Sequence, residues 1–76
     1  MSIFELRAGE RAALLLVPPC FAACGLKKGD EIVLLFRRPT LFVIFSEGAR
    51  FALSGDLARA VIVGRKTAYN GVKSVL

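Results

Sequence analysis

Histidine is absent from the 76-residue sequence, which removes the commonest general base and the commonest metal ligand at once. Cysteine occurs only twice, at Cys20 and Cys24. Two cysteines are too few for a disulfide framework and are typical of a reduced, cytoplasmic setting, although a single bridge between them stays open. Neither a Gly-x-Ser-x-Gly nucleophile motif nor a phosphate-binding Gly-x-x-x-x-Gly-Lys loop is present. We therefore expect a protein that is not an enzyme and has no cofactor.

A long apolar run is also missing. The charge-free segment at residues 12–26 has 15 residues. This is fewer than the roughly 20 residues that cross a membrane. Its end, Phe21-Ala22-Ala23-Cys24, is similar to a lipoprotein cleavage site, and cleavage there would give a mature chain that begins at Cys24. Acidic residues in the leader and two prolines within the run favour a segment that stays in the domain.

Acidic residues are few, six against eleven basic ones, and the net charge is +5. A basic protein suits nucleic acid, an anionic membrane surface or an acidic protein as its partner. Here the basic residues are dispersed, with no run longer than two. This dispersal makes nucleic acid the less favoured of these partners.

Hydrophobic residues make up 55 % of the chain, enough for the core of one small domain. Apolar runs between glycine and proline breaks predict five strands, at residues 11–17, 31–37, 41–45, 50–53 and 60–63. A tight hairpin at 46–49 joins the third strand to the fourth. One helical turn is expected at 20–24, and a second at 57–59 with Asp56 as its cap.

Short strands with tight turns indicate a mainly all-β fold, a small SH3-like five-stranded antiparallel barrel with one or two short helical turns. The second helical turn would let the chain cross from one sheet to the other. The apolar residues of the second and third strands do not alternate with polar ones, so some must lie on the outer face. We expect Leu35, Phe42 and Ile44 to be exposed there, with the opposite choice of Leu34, Phe36 and Val43 left open.

Several segments resemble the FeoA family in their order and spacing. Leu6-Arg7-Ala8-Gly9-Glu10-Arg11-Ala12 is similar to the family's opening, and Gly25-Leu26-Lys27-Lys28-Gly29-Asp30-Glu31-Ile32 to its central Gly-Leu-x-x-Gly motif. Arg37-Arg38-Pro39 resembles the proline break that follows, and residues 48–53 and 57–63 resemble the closing pattern. The resemblance places a FeoA-like domain at residues 1–63, followed by a tail or additional strand at 64–76.

The resemblance implies a cytoplasmic accessory protein of bacterial ferrous iron transport. Its implied partner is the cytosolic domain of the FeoB permease, through which it would be peripheral to the membrane. Contact would involve Leu35, Phe42 and Ile44 as apolar anchors, with Arg37 and Arg38 as a docking edge. Self-association stays open, and the alternative function is a small basic nucleic-acid-binding SH3-like barrel.

The cysteines have two interpretations. Cys20 and Cys24 lie four residues apart and would share one face of a helical turn, where two thiolates can form half of a metal site. No histidine or second cysteine pair completes such a site. We therefore expect no metal, and we expect both cysteines to be buried as small apolar side chains.

Overall fold

Residues 1–65 are described by a computed structural model, in which short strands alternate with short helical turns. After a 3-10 turn at Ile3–Glu5, the elements are β1 (Arg11–Leu16), α1 (Pro19–Ala23), β2 (Glu31–Arg38), β3 (Leu41–Ser46), β4 (Ala49–Leu53), α2 (Gly55–Ala60) and β5 (Ile62–Arg65). The five expected strands are confirmed, each within two residues of its predicted bounds. Residues 66–76 lie outside the described part, so the domain boundary and the tail or additional strand at 64–76 stay predictions.

The five strands form one antiparallel sheet in the order β4-β3-β2-β1-β5. The mainly β, SH3-like fold is thereby confirmed. Strands β4 and β5 follow one another in the chain but lie at opposite edges of the sheet. Helix α2 makes this connection between the two edges of one sheet, whereas the sequence predicted a crossing between two sheets.

The cap of α2 differs from the prediction. The Ser54 side-chain oxygen accepts a hydrogen bond from the Leu57 N–H at 3.1 Å, so Ser54 and not Asp56 is the N-cap. A serine hydroxyl before the first helical residue satisfies one of the amide groups that the helix leaves unpaired. Asp56 lies within the first turn instead, where a carboxylate complements the helix dipole.

The core lies on the inner face of the sheet. Its largest fully buried side chain is Phe42, which belongs to one cluster with aliphatic residues from all five strands and from the N-terminal turn. The fully or almost fully buried core residues are Ile3, Leu6, Ala12, Leu14, Phe21, Leu26, Ile32, Leu34, Phe42, Ile44, Leu53, Ala58, Val61 and Val63. Leu57 of α2 is partly buried against this cluster.

Two irregularities interrupt the ladders. The pairing of β2 with β3 shifts between Leu34 and Phe36, and the pairing of β1 with β5 shifts between Leu14 and Leu16. Each shift leaves one extra residue on its strand, Leu35 in β2 and Leu15 in β1, as in a β-bulge. Within residues 1–65, no helix is long and apolar enough to cross a membrane.

Candidate interaction surface

The shift at Leu35 decides which side chains of β2 face outward. Leu34 pairs with Ile44, and both are fully buried. One extra residue later, Phe36 pairs with Val43, and Phe36 is 39 % exposed. Because side chains alternate between the two faces of a strand, an extra residue moves all later positions to the opposite face.

The predicted anchors are therefore divided between the two faces. Leu35 is exposed, as expected, but Phe42 and Ile44 have no exposed surface, and their prediction as outer contact residues was wrong. Both lie opposite inward-facing residues of β4, Leu53 and Phe51, and complete the only apolar core that so small a sheet encloses. The opposite choice is also mixed, since Phe36 and Val43 face outward whereas Leu34 does not.

Four side chains of β2 and β3 form what we call the outer apolar patch: Phe36, Leu41, Val43 and Phe45. Phe36 lies across from Val43, and the two aromatic residues and Leu41 are each between 38 and 39 % exposed. Leu35 lies in the bulge beside the patch and is also exposed. Contiguous exposed apolar surface of this kind marks interaction sites more often than scattered single residues do.

Arg37 is held inside the fold. Its Nη1 donates hydrogen bonds to the carbonyl oxygens of Phe4, at 2.9 Å, and Leu6, at 2.6 Å. Its guanidinium also lies over the rings of Phe4 and Phe42, with distances of 5.3 and 4.8 Å to the ring centroids. The bulge places Arg37 on the inner face, opposite Phe42, so its prediction as a docking residue is corrected to a structural role.

Arg38, in contrast, lies on the outer face. It pairs with Leu41, and its guanidinium lies 5.1 Å from the centroid of the Phe36 ring. Arg50 of β4 is on the same face, because it pairs with Phe45. Both arginines are exposed and, within residues 1–65, neither has an acidic partner, whereas Arg11 faces Glu31 at 3.9 Å. The outer apolar patch is thus bordered by positive charge.

A groove of about 320 Å³ separates α1 from β4. Its lining is mostly apolar and consists of Cys20, Phe21, Cys24, Leu26, Arg50, Phe51, Ala52, Leu53 and Leu57. Both cysteines are exposed free thiols, so the prediction that they are buried was wrong. The helix is short enough that only Phe21 reaches the core. Among the described residues, no group of three or more possible metal ligands comes together. The two thiols therefore have no further ligands beside them with which to complete a metal site.

Comparison with solved structures identifies the fold. A crystal structure of the iron uptake regulatory protein FeoA superposes with a TM-score of 0.77 and 25 % sequence identity, over 86 % of this chain and 94 % of that one. The fold of the chain is FeoA-like. A solution structure of FeoA from Chlorobium tepidum gives a TM-score of 0.78 at 23 % identity, over 88 % of this chain and 71 % of that one. The resemblance seen in the sequence is thereby confirmed.

The same fold occurs within a larger protein. A manganese-dependent transcriptional repressor superposes with a TM-score of 0.77 at 18 % identity, and the FeoA-like chain covers 41 % of its length. At this identity the likeness shows the fold alone. No family model and no curated protein matches the sequence.

Sequence reasoning missed two features of this FeoA-like chain. Phe45 was not singled out, although it is exposed on the outer face of β3, between Val33 of β2 and Arg50 of β4. The groove beside β4 was also missed, because its walls come from segments about thirty residues apart in the chain.

Proposed function

We propose that this FeoA-like chain is an accessory protein of ferrous iron transport that acts through contact with the cytosolic region of a FeoB-type permease. The observation that carries the proposal is the likeness to FeoA over 86 % of this chain and 94 % of the other. That neighbour is described as an iron uptake regulatory protein, and the proposal carries its part in iron uptake to this chain.

The outer apolar patch supports a protein partner. Phe36 and Phe45 each expose 39 % of their surface, and Arg38 lies beside one of them. Exposed aromatic residues and arginine are the side chains that contribute most to protein–protein contacts. A partner that covers the patch would remove apolar surface from water, and this contribution does not depend on salt.

The test is a calorimetric titration of the purified chain against the soluble cytosolic domain of the ferrous iron permease from the same cell, at two salt concentrations. We expect saturable binding that survives the higher salt. A variant with Phe36→Ser and Phe45→Ser should bind at least about tenfold more weakly, because each aromatic contact is worth about 1 kcal/mol or more.

The matched control is Leu16→Ser, which changes a side chain that is 61 % exposed on β1 and lies outside the patch. Its affinity should equal that of the unchanged chain. Equal losses in both variants would show that the patch is not the contact surface. Absence of binding by a folded sample would contradict the proposed contact with the cytosolic domain.

One observation favours a second function, binding of single-stranded nucleic acid. The outer face carries two exposed aromatic rings together with Arg38 and Arg50, and bases stack on such rings next to positive charge. A short oligonucleotide in the same titration distinguishes the two functions. Nucleic-acid binding would weaken steeply with salt because counterions are released, whereas the apolar protein contact would persist.

A further inference from the structure

The two edges of the sheet differ in whether another segment of the chain pairs with them. At the β5 edge, the Val63 N–H donates to the Met1 carbonyl at 2.7 Å, and the Ile3 N–H donates to the Val61 carbonyl at 3.1 Å. The N-terminal residues thus cover that edge. At the opposite edge, β4 pairs only with β3.

The hairpin turn determines which backbone groups of β4 are left over. Glu47 and Gly48 form a two-residue turn in which both have positive φ, 51° and 82°. In such a hairpin the flanking residues, Ser46 and Ala49, form a hydrogen-bonded pair, and bonded and non-bonded pairs alternate from there. The backbone groups of Phe51 therefore point to β3, whereas those of Arg50 and Ala52 point away from the sheet.

These outward groups form no hydrogen bond within residues 1–65. The N–H and C=O of Arg50 and Ala52 have no partner outside the β3 ladder, and both residues are exposed. Two residues with this spacing offer alternating donors and acceptors in the pattern that an added strand would match.

The groove between α1 and β4 lies directly beside this edge. Phe51 and Leu53 point inward from β4, and Phe21 and Leu26 form the opposite wall and the floor, each of these two no more than 3 % exposed. A strand added to β4 would alternate its side chains between the two faces. Those next to Phe51 would enter the apolar groove, and those next to Arg50 would lie on the outer face.

The positive charge beside the β4 edge indicates which kind of segment would bind there. Arg50 has no acidic partner within the described residues, and the whole chain carries a net charge of +5. A second copy paired edge to edge would bring two such arginines together, and a charged residue on an edge strand discourages self-pairing. The chain's own residues 66–76 contain two lysines and no acidic side chain. An acidic segment of another protein would complement the positive charge of the site, whereas a second copy of the chain or residues 66–76 would not.

We propose that the free edge of β4 and the adjoining groove bind an extended segment of a partner protein in which acidic and aliphatic side chains alternate. The segment adds a sixth strand to the sheet. Its aliphatic side chains fill the groove, and its carboxylates meet Arg50. The inference concerns the chemistry of the segment, goes beyond the iron-transport role, and is independent of the outer apolar patch.

The probe is a short capped peptide in which glutamate alternates with valine, added to the isotope-labelled full-length chain and followed by NMR. We expect saturable shifts that are largest at the amides of Arg50 and Ala52 and at groove residues such as Phe21. A control peptide with lysine in place of glutamate should bind about tenfold more weakly, because attraction to Arg50 becomes repulsion.

Two variants test the backbone contact. Ala52→Pro removes an N–H that faces away from β3, and proline is tolerated at such edge positions. It should weaken peptide binding by about tenfold relative to Ala52→Val, which keeps the N–H and serves as the matched control. The two-peptide comparison on the unchanged chain decides the question even if the proline variant fails to fold.

Four outcomes would overturn the proposal. The first is that the glutamate peptide leaves the β4 amides unshifted at millimolar concentration, and the second is that the two peptides bind equally. A dimer seen by light scattering and lost in Ala52→Pro would make a second copy the occupant. Slow hydrogen exchange of the Arg50 and Ala52 amides in the peptide-free monomer would show that the chain itself already covers the edge.

Discussion

Replacement of Arg37 by methionine tests the role that the fold gives to this arginine. The side chain connects β2 to the N-terminal segment through two hydrogen bonds, at 2.9 and 2.6 Å, to the carbonyls of Phe4 and Leu6. It also covers the rings of Phe4 and Phe42. Methionine keeps the apolar stem of the side chain and removes both the charge and the donors.

The expected loss follows from these contacts. Hydrogen bonds from a charged donor contribute about 1.5–3 kcal/mol each, and a partly exposed cation–π contact adds about 0.5–1 kcal/mol. Because Arg37 is half-buried, we take the low end of each range, which gives about 3–4 kcal/mol. A domain of this size has a total stability of roughly 4–11 kcal/mol, so Arg37→Met should lower Tm by about 15 °C or more.

The neighbouring residue provides the control. Arg38→Met removes the same charge from the same strand, but Arg38 is exposed, and within residues 1–65 its guanidinium lies only against the Phe36 ring. Its effect should stay within about 0.5 kcal/mol. Urea unfolding followed by circular dichroism measures both, since the chain has no tryptophan. Equal effects of the two changes, or a loss below about 1 kcal/mol for Arg37→Met, would refute the reasoning.

Four further substitutions test the packing. Phe42→Ala should lower the free energy of unfolding by about 3–5 kcal/mol and Phe45→Ala by less than about 1 kcal/mol, because only Phe42 is fully buried; similar urea midpoints for the two would contradict the assigned faces. Gly55→Ala should cost at least about 2 kcal/mol by thermal unfolding, since the added methyl would overlap the Pro39 carbonyl oxygen, and an unchanged Tm would show that the backbone there can move. Ser46→Ala should cost about 1 kcal/mol in urea, because the buried hydroxyl donates to a β2 carbonyl at 2.8 Å; no loss would mean that this bond contributes nothing.

The positions of the strands could be predicted because local chemistry marks their ends. Glycine and proline breaks separate apolar runs, and a strand bounded in this way needs no knowledge of its neighbours. The two-residue turn between β3 and β4 is a further case, since a glycine at its second position accepts the positive φ of 82°. Local sequence also predicted α2, because the apolar runs of β4 and β5 are separated by residues that do not continue a strand.

The faces of β2 could not be predicted, because every residue from Ile32 to Phe36 is apolar. Only the pairing with β3 shows that Leu35 is the extra residue, and this pairing is a tertiary property. The role of Arg37 is hidden for the same reason, since its hydrogen-bond partners lie more than thirty residues earlier in the chain. The resemblance to FeoA gave the fold but not these contacts.

The strand order also has a consequence for how the protein is made. β1 lies between β2 and β5, so the first strand to leave the ribosome gains its second neighbour only when the last described strand has been synthesised. Ser2 can form its β-bridge with Ile62 only after Ile62 has been synthesised. Contacts between such distant segments form late and slow the folding of a small domain. A nascent chain that ends before Val61 therefore exposes the edge of β1 and part of the core, and the domain completes its fold only after β5 has been synthesised.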